Sequence, residues 1–238
     1  MDWSKWAGAS CLPQCWCEAT RVGSWILEPV NSWTSLIFTL IGLYFLFSPK
    51  TFLNPNNKLG KSTLFPRLYG FSLVFMGVGS FFFHASQTFV GQWFDVFGMY
   101  LITMFYICYN FLRIKWFNDR SFLIIYFASS LFLGVIIYFL PETRRWLFGA
   151  TIAFTFFQSL WIQSKLKTQI KHKYLLLALG SYITAQMFWI LDKEKIWCNP
   201  YAAMNGHGIW HILTGLSALL IYLYFYSEDE KLTISQEK

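Results

Sequence analysis

The chain has 238 residues, 55% of them hydrophobic and only 13% charged, about half the roughly 25% charged content of ordinary soluble domains. Aromatic side chains reach 21%, more large apolar surface than a soluble core of this size hides, but a load that a bilayer solvates. A net charge of +7 would suggest nucleic acid in a soluble protein; here Lys and Arg cluster in short loops beside apolar runs, where they set topology, and nucleic-acid binding is set aside.

Met1 to Ser10 contains no apolar core, so no cleavable signal peptide is expected, and residues 1–30 read as an extramembrane segment. Seven apolar runs follow at 31–48, 68–85, 93–112, 121–140, 146–164, 174–191 and 208–226, each near the roughly 20 residues that cross a bilayer. The longest connection, 49–67, is polar and carries the turn signal Asn54-Pro55-Asn56-Asn57, and Pro141 separates the fourth and fifth runs. Residues 227–238 form a tail without an obvious retention signal. No linker divides the chain, so the expected fold is a single all-α domain over 1–238, a bundle of seven transmembrane helices. The loops after the first, third and fifth runs, with the tail, hold 13 of the 19 Lys and Arg, and the other side holds 6. The basic side is expected to be cytoplasmic, which puts the N-terminus outside or in a lumen and the C-terminus in the cytoplasm.

An ionisable residue at a membrane helix is costly and so is a functional candidate by default. His84 ends the second run, and Ser80 lies four residues before it, on the same helical side. His207 and His211 open the last run, again four apart, a spacing that lets two imidazoles chelate one ion. Asp95 opens the third run, whereas His172 falls in a basic loop and reads as solvated. Alternating topology brings His84, Asp95, His207 and His211 to one membrane side. Imidazoles suit zinc, and three protein ligands leave the fourth position that catalytic zinc sites keep open. Zinc would lower the pKa of its bound water to about 7. Asp95 would take and return protons, and Ser80 would bond the water or a developing oxyanion.

These residues resemble the alkaline ceramidase family, within a superfamily of seven-helix membrane hydrolases that also includes the adiponectin and progestin receptors and the Per1-like proteins. The blocks are Gly77-Val78-Gly79-Ser80-Phe81-Phe82-Phe83-His84-Ala85, then Asp95, then His207-Gly208-Ile209-Trp210-His211-Ile212-Leu213-Thr214. Trp16-Cys17-Glu18 and Glu28-Pro29-Val30-Asn31-Ser32-Trp33-Thr34-Ser35 are similar to the family's N-terminus. The resemblance implies zinc on His84, His207 and His211, catalytic support from Asp95 and Ser80, and hydrolysis of ceramide to sphingosine and a fatty acid; diverged members cleave other lipids. It also implies calcium held by the Trp16 carbonyl, Glu18 and Glu28. There the chain departs, with Cys15 where the family has an acidic residue and Thr20 where it has asparagine.

Cys11, Cys15 and Cys17 precede the first run and Cys198 the last, all on the side where disulfides form, while Cys108 lies within the third run as a small apolar residue. The close Cys spacings fit no common zinc pattern. The resemblance implies a Cys17–Cys198 bridge, and a Cys11–Cys15 bridge stays open. Two other readings compete with the enzyme. A receptor of the adiponectin or progestin type shares the histidine motif, but those proteins carry a substantial cytosolic N-terminal region and the opposite orientation. A metal transporter would want polar residues along a path across the bilayer, and no second cluster faces this one. Oligomeric state is not legible.

Overall fold

The structure, a computed structural model, describes residues 3–13, 15–166 and 168–230. Lys167 and tail positions 231–238, with Lys231 and Lys238 of the charge count, lie outside the described residues. The described residues form seven α-helices: α1 Pro29–Phe47, α2 Leu64–Ser86, α3 Phe89–Arg113, α4 Asp119–Phe139, α5 Arg144–Lys165, α6 His172–Lys193 and α7 Gly206–Tyr226. β-Structure among them is confined to two isolated bridges, Gly8 with Thr88 and Gln169 with Asp229.

The helices begin where local chemistry satisfies their first N–H groups. Pro29 occupies the start of α1, where its missing N–H costs nothing. Thr88 caps α3, Asn118 and Ser121 form a reciprocal capping box on α4, and Asn205 caps α7. Because Asn205 is the cap, α7 starts at Gly206 and His207 is a helical residue one turn before His211.

Six of the seven helices are long and apolar enough to cross a membrane, and the chain is a multi-pass integral membrane protein. The exception is α5. Arg144 and Arg145 open it, and Thr155, Gln158 and Gln163 lower its hydropathy. Those polar groups have partners: Gln158 and Ser159 accept from Asn110 Nδ2 on α3 at 3.2 and 2.8 Å. A polar inter-helix network thus replaces apolar contact on that side of α5.

The central helices are α2 and α3, which are the most buried, and the others present large apolar side chains such as Phe47, Phe132, Phe157 and Leu176 outward. α1 lies against α2 at backbone distance, since a Cβ built on Gly42 would stand 2.6 Å from the Gly70 carbonyl oxygen. α5 packs chiefly on α3, and α6 on α7. Between these pairs lies a cavity of about 110 Å³, bounded by Met76, Tyr106, Phe156, Leu179, Trp210 and Phe225 among others.

The two ends of the bundle differ chemically. At the end where α3 and α7 finish, buried Arg113 donates Nε and Nη2 to the two oxygens of Glu228 at 2.8 and 2.9 Å, and Nη1 to Asn110 at 3.0 Å. Thr168 Oγ1 donates to the same carboxylate at 2.6 Å. The opposite end holds His84, His207 and His211.

Candidate metal centre

α2 delivers His84 in its last turn and α7 delivers His207 and His211 in its first two, and all three are almost fully buried. One ring nitrogen from each lies within 4.8 Å of the others. His84 Nε2 and His207 Nε2 are 3.2 Å apart. Two nitrogens bound tetrahedrally to one zinc at about 2.0–2.1 Å would stand roughly 3.3 Å apart, so the spacing suits a shared ion.

The outer nitrogens explain which lone pairs point inward. His84 Nδ1 lies 2.7 Å from Glu28 Oε2, a contact in which an ionised carboxylate can only accept. With Glu28 ionised, His84 Nδ1 carries the proton and Nε2 keeps a lone pair. Thr34 Oγ1 donates its one proton to the Val30 carbonyl at 2.7 Å, so toward His211 Nδ1, at 3.0 Å, it accepts. His211 Nε2 is then unprotonated, and it is a buried atom with no hydrogen-bond partner among the described residues. Carboxylate and hydroxyl acceptors behind metal-binding imidazoles are the arrangement that fixes tautomer and ring orientation. His207 is held differently, its ring lying flat on Trp16 with centroids 3.6 Å apart. The donor set fits zinc.

Asp192, at the end of α6, accepts from His207 N–H at 3.1 Å through Oδ2 and from Cys17 N–H at 3.0 Å through Oδ1. It thereby ties the start of α7 to the N-terminal segment. The Cys17–Cys198 bridge lies beside it, as the resemblance implied, and a second bridge joins Cys11 to Cys15, the pairing left open above. Cys108 is a free, buried thiol.

Ser80 stands one turn before His84 and interacts with the Asp95 carboxylate of α3. Gly79 makes this contact possible, because a Cβ there would lie 2.8 Å from Phe94 O and 3.1 Å from Asp95 N. Arg144, which in the sequence is only a loop charge, is buried at the start of α5 and attracts the Asp95 carboxylate electrostatically. His172 is exposed at the start of α6, at the far end of the bundle.

The residues expected to hold calcium have other partners. Glu18 accepts from Val30 N–H at 2.8 Å and Asn31 N–H at 2.9 Å, serving as a surrogate cap on the open first turn of α1. Burial raises its carboxyl, and these two amides oppose the shift. Glu28 accepts from Gln87 Nε2 at 2.6 Å through Oε1, and from Asn31 Nδ2 at 3.1 Å and His84 through Oε2. Burial pushes its carboxyl up to about 7, with the Asn31 and Gln87 amides pulling the other way. All four carboxylate oxygens thus face N–H donors, and Cys15 is committed to a disulfide. Calcium needs six to eight oxygens turned toward it, and this set as arranged does not fit one.

Sequence reasoning missed Asp192, Thr34, Gln87 and the buried place of Arg144. Each is an ordinary polar residue at a helix end or turn, and its partner is remote: 15 residues separate Asp192 from His207 and 177 separate Thr34 from His211.

A family profile described as Ceramidase matches residues 14–238. A Dictyostelium discoideum protein provisionally named alkaline ceramidase dcd3B is 27% identical, the alignment covering 89% of this chain and 84% of that one. Alkaline ceramidase YPC1 of Saccharomyces cerevisiae is 26% identical over 89% of this chain and 74% of its own. The profile takes in almost the whole chain, including the histidines of α2 and α7, Ser80, Asp95 and Trp16, which stacks on His207; the chain belongs to the ceramidase family.

Proposed function

We propose that the protein is a zinc-dependent lipid amidase that hydrolyses ceramide to sphingosine and a free fatty acid. The observation that carries this reading is the three-histidine cluster, with the His84 and His211 lone pairs turned inward by Glu28 and Thr34. Zinc there would supply Lewis acidity, polarising the amide carbonyl and making a water acidic enough to attack at neutral pH.

The remaining work falls to side chains. Asp95, held by Ser80 and attracted by Arg144, accepts the attacking water's proton and returns it to the leaving amine. Ser80 fixes that carboxylate and offers a hydroxyl near the reacting carbonyl. The cavity receives a hydrocarbon chain: Trp210 and Thr214, beside His211 on α7, line its near part, and Phe225 lies at the far end. From Trp210 to Phe225 the helix rises about 22 Å, so the lining follows α7 along most of its length. We place the histidine end outside or in a lumen, on the count of basic residues; reporter tags at both termini test that.

The test of function is to load the purified protein with zinc and offer a panel of ceramides and other N-acyl lipids. Released fatty acid is expected with ceramide. No release from any amide would overturn the reading.

A further inference from the structure

α2 ends at Ser86, and the next residue, Gln87, has φ 49° and ψ 30°. This left-handed cap is a position where helices ordinarily use glycine, or asparagine, because any other side chain adopts that backbone at a cost. Glutamine brings no backbone advantage there. A strained residue beside a functional centre invites the question of what its side chain does.

The side chain is buried and engaged at both ends. Nε2 donates to Glu28 Oε1 at 2.6 Å, and Oε1 accepts from Thr20 Oγ1 at 3.4 Å. Glu28 Oε2 in turn accepts from His84 Nδ1 at 2.7 Å. One hydrogen-bonded line therefore runs from Thr20 through Gln87 and Glu28 to His84. The backbone reinforces it: Glu28 N–H donates to the His84 carbonyl at 3.1 Å and Leu27 N–H to the Ala85 carbonyl at 3.0 Å, so the open carbonyls of the last turn of α2 gain donor partners from the segment entering α1. Gln87 itself is fixed by its N–H on Phe83 O at 2.6 Å and its carbonyl on Ala9 N–H at 2.9 Å. A carboxylate with one oxygen on an imidazole and nothing on the other can rotate about its terminal torsion. The Gln87 amide removes that freedom.

We propose that Gln87 is a positioning residue for the metal centre, holding the Glu28 carboxylate in the orientation that receives the His84 Nδ1–H and thereby fixing the ring and tautomer of His84. The proposal rests on the zinc reading above. It has a counter-intuitive consequence. Gln87→Gly suits the backbone better than the native residue, so a role limited to closing α2 predicts unchanged or raised thermal stability and unchanged zinc binding. A positioning role predicts that the same variant, although folded, binds zinc about 10–100-fold more weakly, the usual loss when a group behind a metal ligand is removed.

The experiment compares wild type, Gln87→Gly and Gln87→Glu, which turns an acceptor toward Glu28. Zinc affinity is measured by competition with a chromophoric chelator. The His84 Nδ1–H resonance is recorded in nitrogen-15-labelled, metal-stripped protein, with His84→Ala for assignment. A 10-fold or larger weakening in both variants, with the Nδ1–H resonance shifted or lost, is the expected result. Wild-type zinc affinity and an unmoved resonance in Gln87→Gly would overturn the proposal. If wild type itself takes up no zinc, the metal reading fails, and the imidazole resonance alone still decides whether Gln87 positions His84.

Discussion

Asp192 gives the sharpest test of how the centre is held together. Its side chain is fully buried, and its two oxygens accept the backbone N–H groups of Cys17 and His207 at 3.0 and 3.1 Å. Asp192→Ala removes both acceptors and leaves two buried donors without partners. Each hydrogen bond to a charged acceptor contributes about 1.5–3 kcal/mol, so the loss is about 3–6 kcal/mol. At roughly 2–4 °C per kcal/mol for a chain of this size, the melting temperature should fall by roughly 6–24 °C. Asp192→Asn keeps the shape but turns one N–H donor toward another, and should recover only part of the loss. The assay is thermal unfolding in detergent at one fixed scan rate, beside zinc content by mass spectrometry. Zinc retention should fall as well, because the first turn of α7 carries both His207 and its tie to Asp192. Cys17 belongs to this hydrogen bond and to the disulfide with Cys198, so Asp192→Ala combined with Cys17→Ser should cost less than the sum of the single changes. An Asp192→Ala protein that melts within about 2 °C of wild type, well below the range worked above, would refute the reasoning.

Four further outcomes are expected. Asp95→Ala should lower kcat by about 10²–10⁴-fold, the usual contribution of a general acid–base group, while zinc stoichiometry stays near wild type; near-normal turnover would remove Asp95 from the chemistry. Ala218, buried and lining the cavity, should on replacement by Phe lower kcat/KM for a palmitoyl amide far more than for a hexanoyl amide, and an equal effect on both would separate the cavity from the acyl chain. Stripping zinc should lower the melting temperature, and saturating zinc at about 1,000 times its Kd should restore about 4 kcal/mol; calcium added to the zinc-loaded protein should add nothing, since the oxygens of Glu18 and Glu28 already face N–H donors, and a clear calcium-induced rise would contradict the hydrogen-bonded reading of those carboxylates.

Hydrophobic run length was enough to find all seven helices, because the demand that every backbone group be satisfied in lipid leaves little choice of structure. Chain ends of the runs were less legible. Capping by Thr88, Asn118 and Asn205 lengthens α3, α4 and α7 beyond their apolar stretches, and α5 carries polar groups whose acceptance into the bundle depends on Asn110 of α3. Spacing alone pairs His207 with His211, since i and i+4 share one side of any helix, and alternation of direction brings His84 to the same end. The sequence by itself therefore determined a helical membrane bundle with three imidazoles and one carboxylate at one end.

Tertiary structure decided what those imidazoles can do. The tautomers of His84 and His211 depend on Glu28 and Thr34, groups 56 and 177 residues away in the chain. Placement of α7 depends on Asp192, and that of Ser80 against Asp95 on a glycine that lets two backbones touch. Glu28 shows the difference most plainly: its residue type suits either a cation or a hydrogen-bond donor, and only the packed positions of Gln87, Asn31 and His84 select the donors. Such choices are made by polar atoms a few ångströms apart in space but far apart in sequence, where no periodicity registers them.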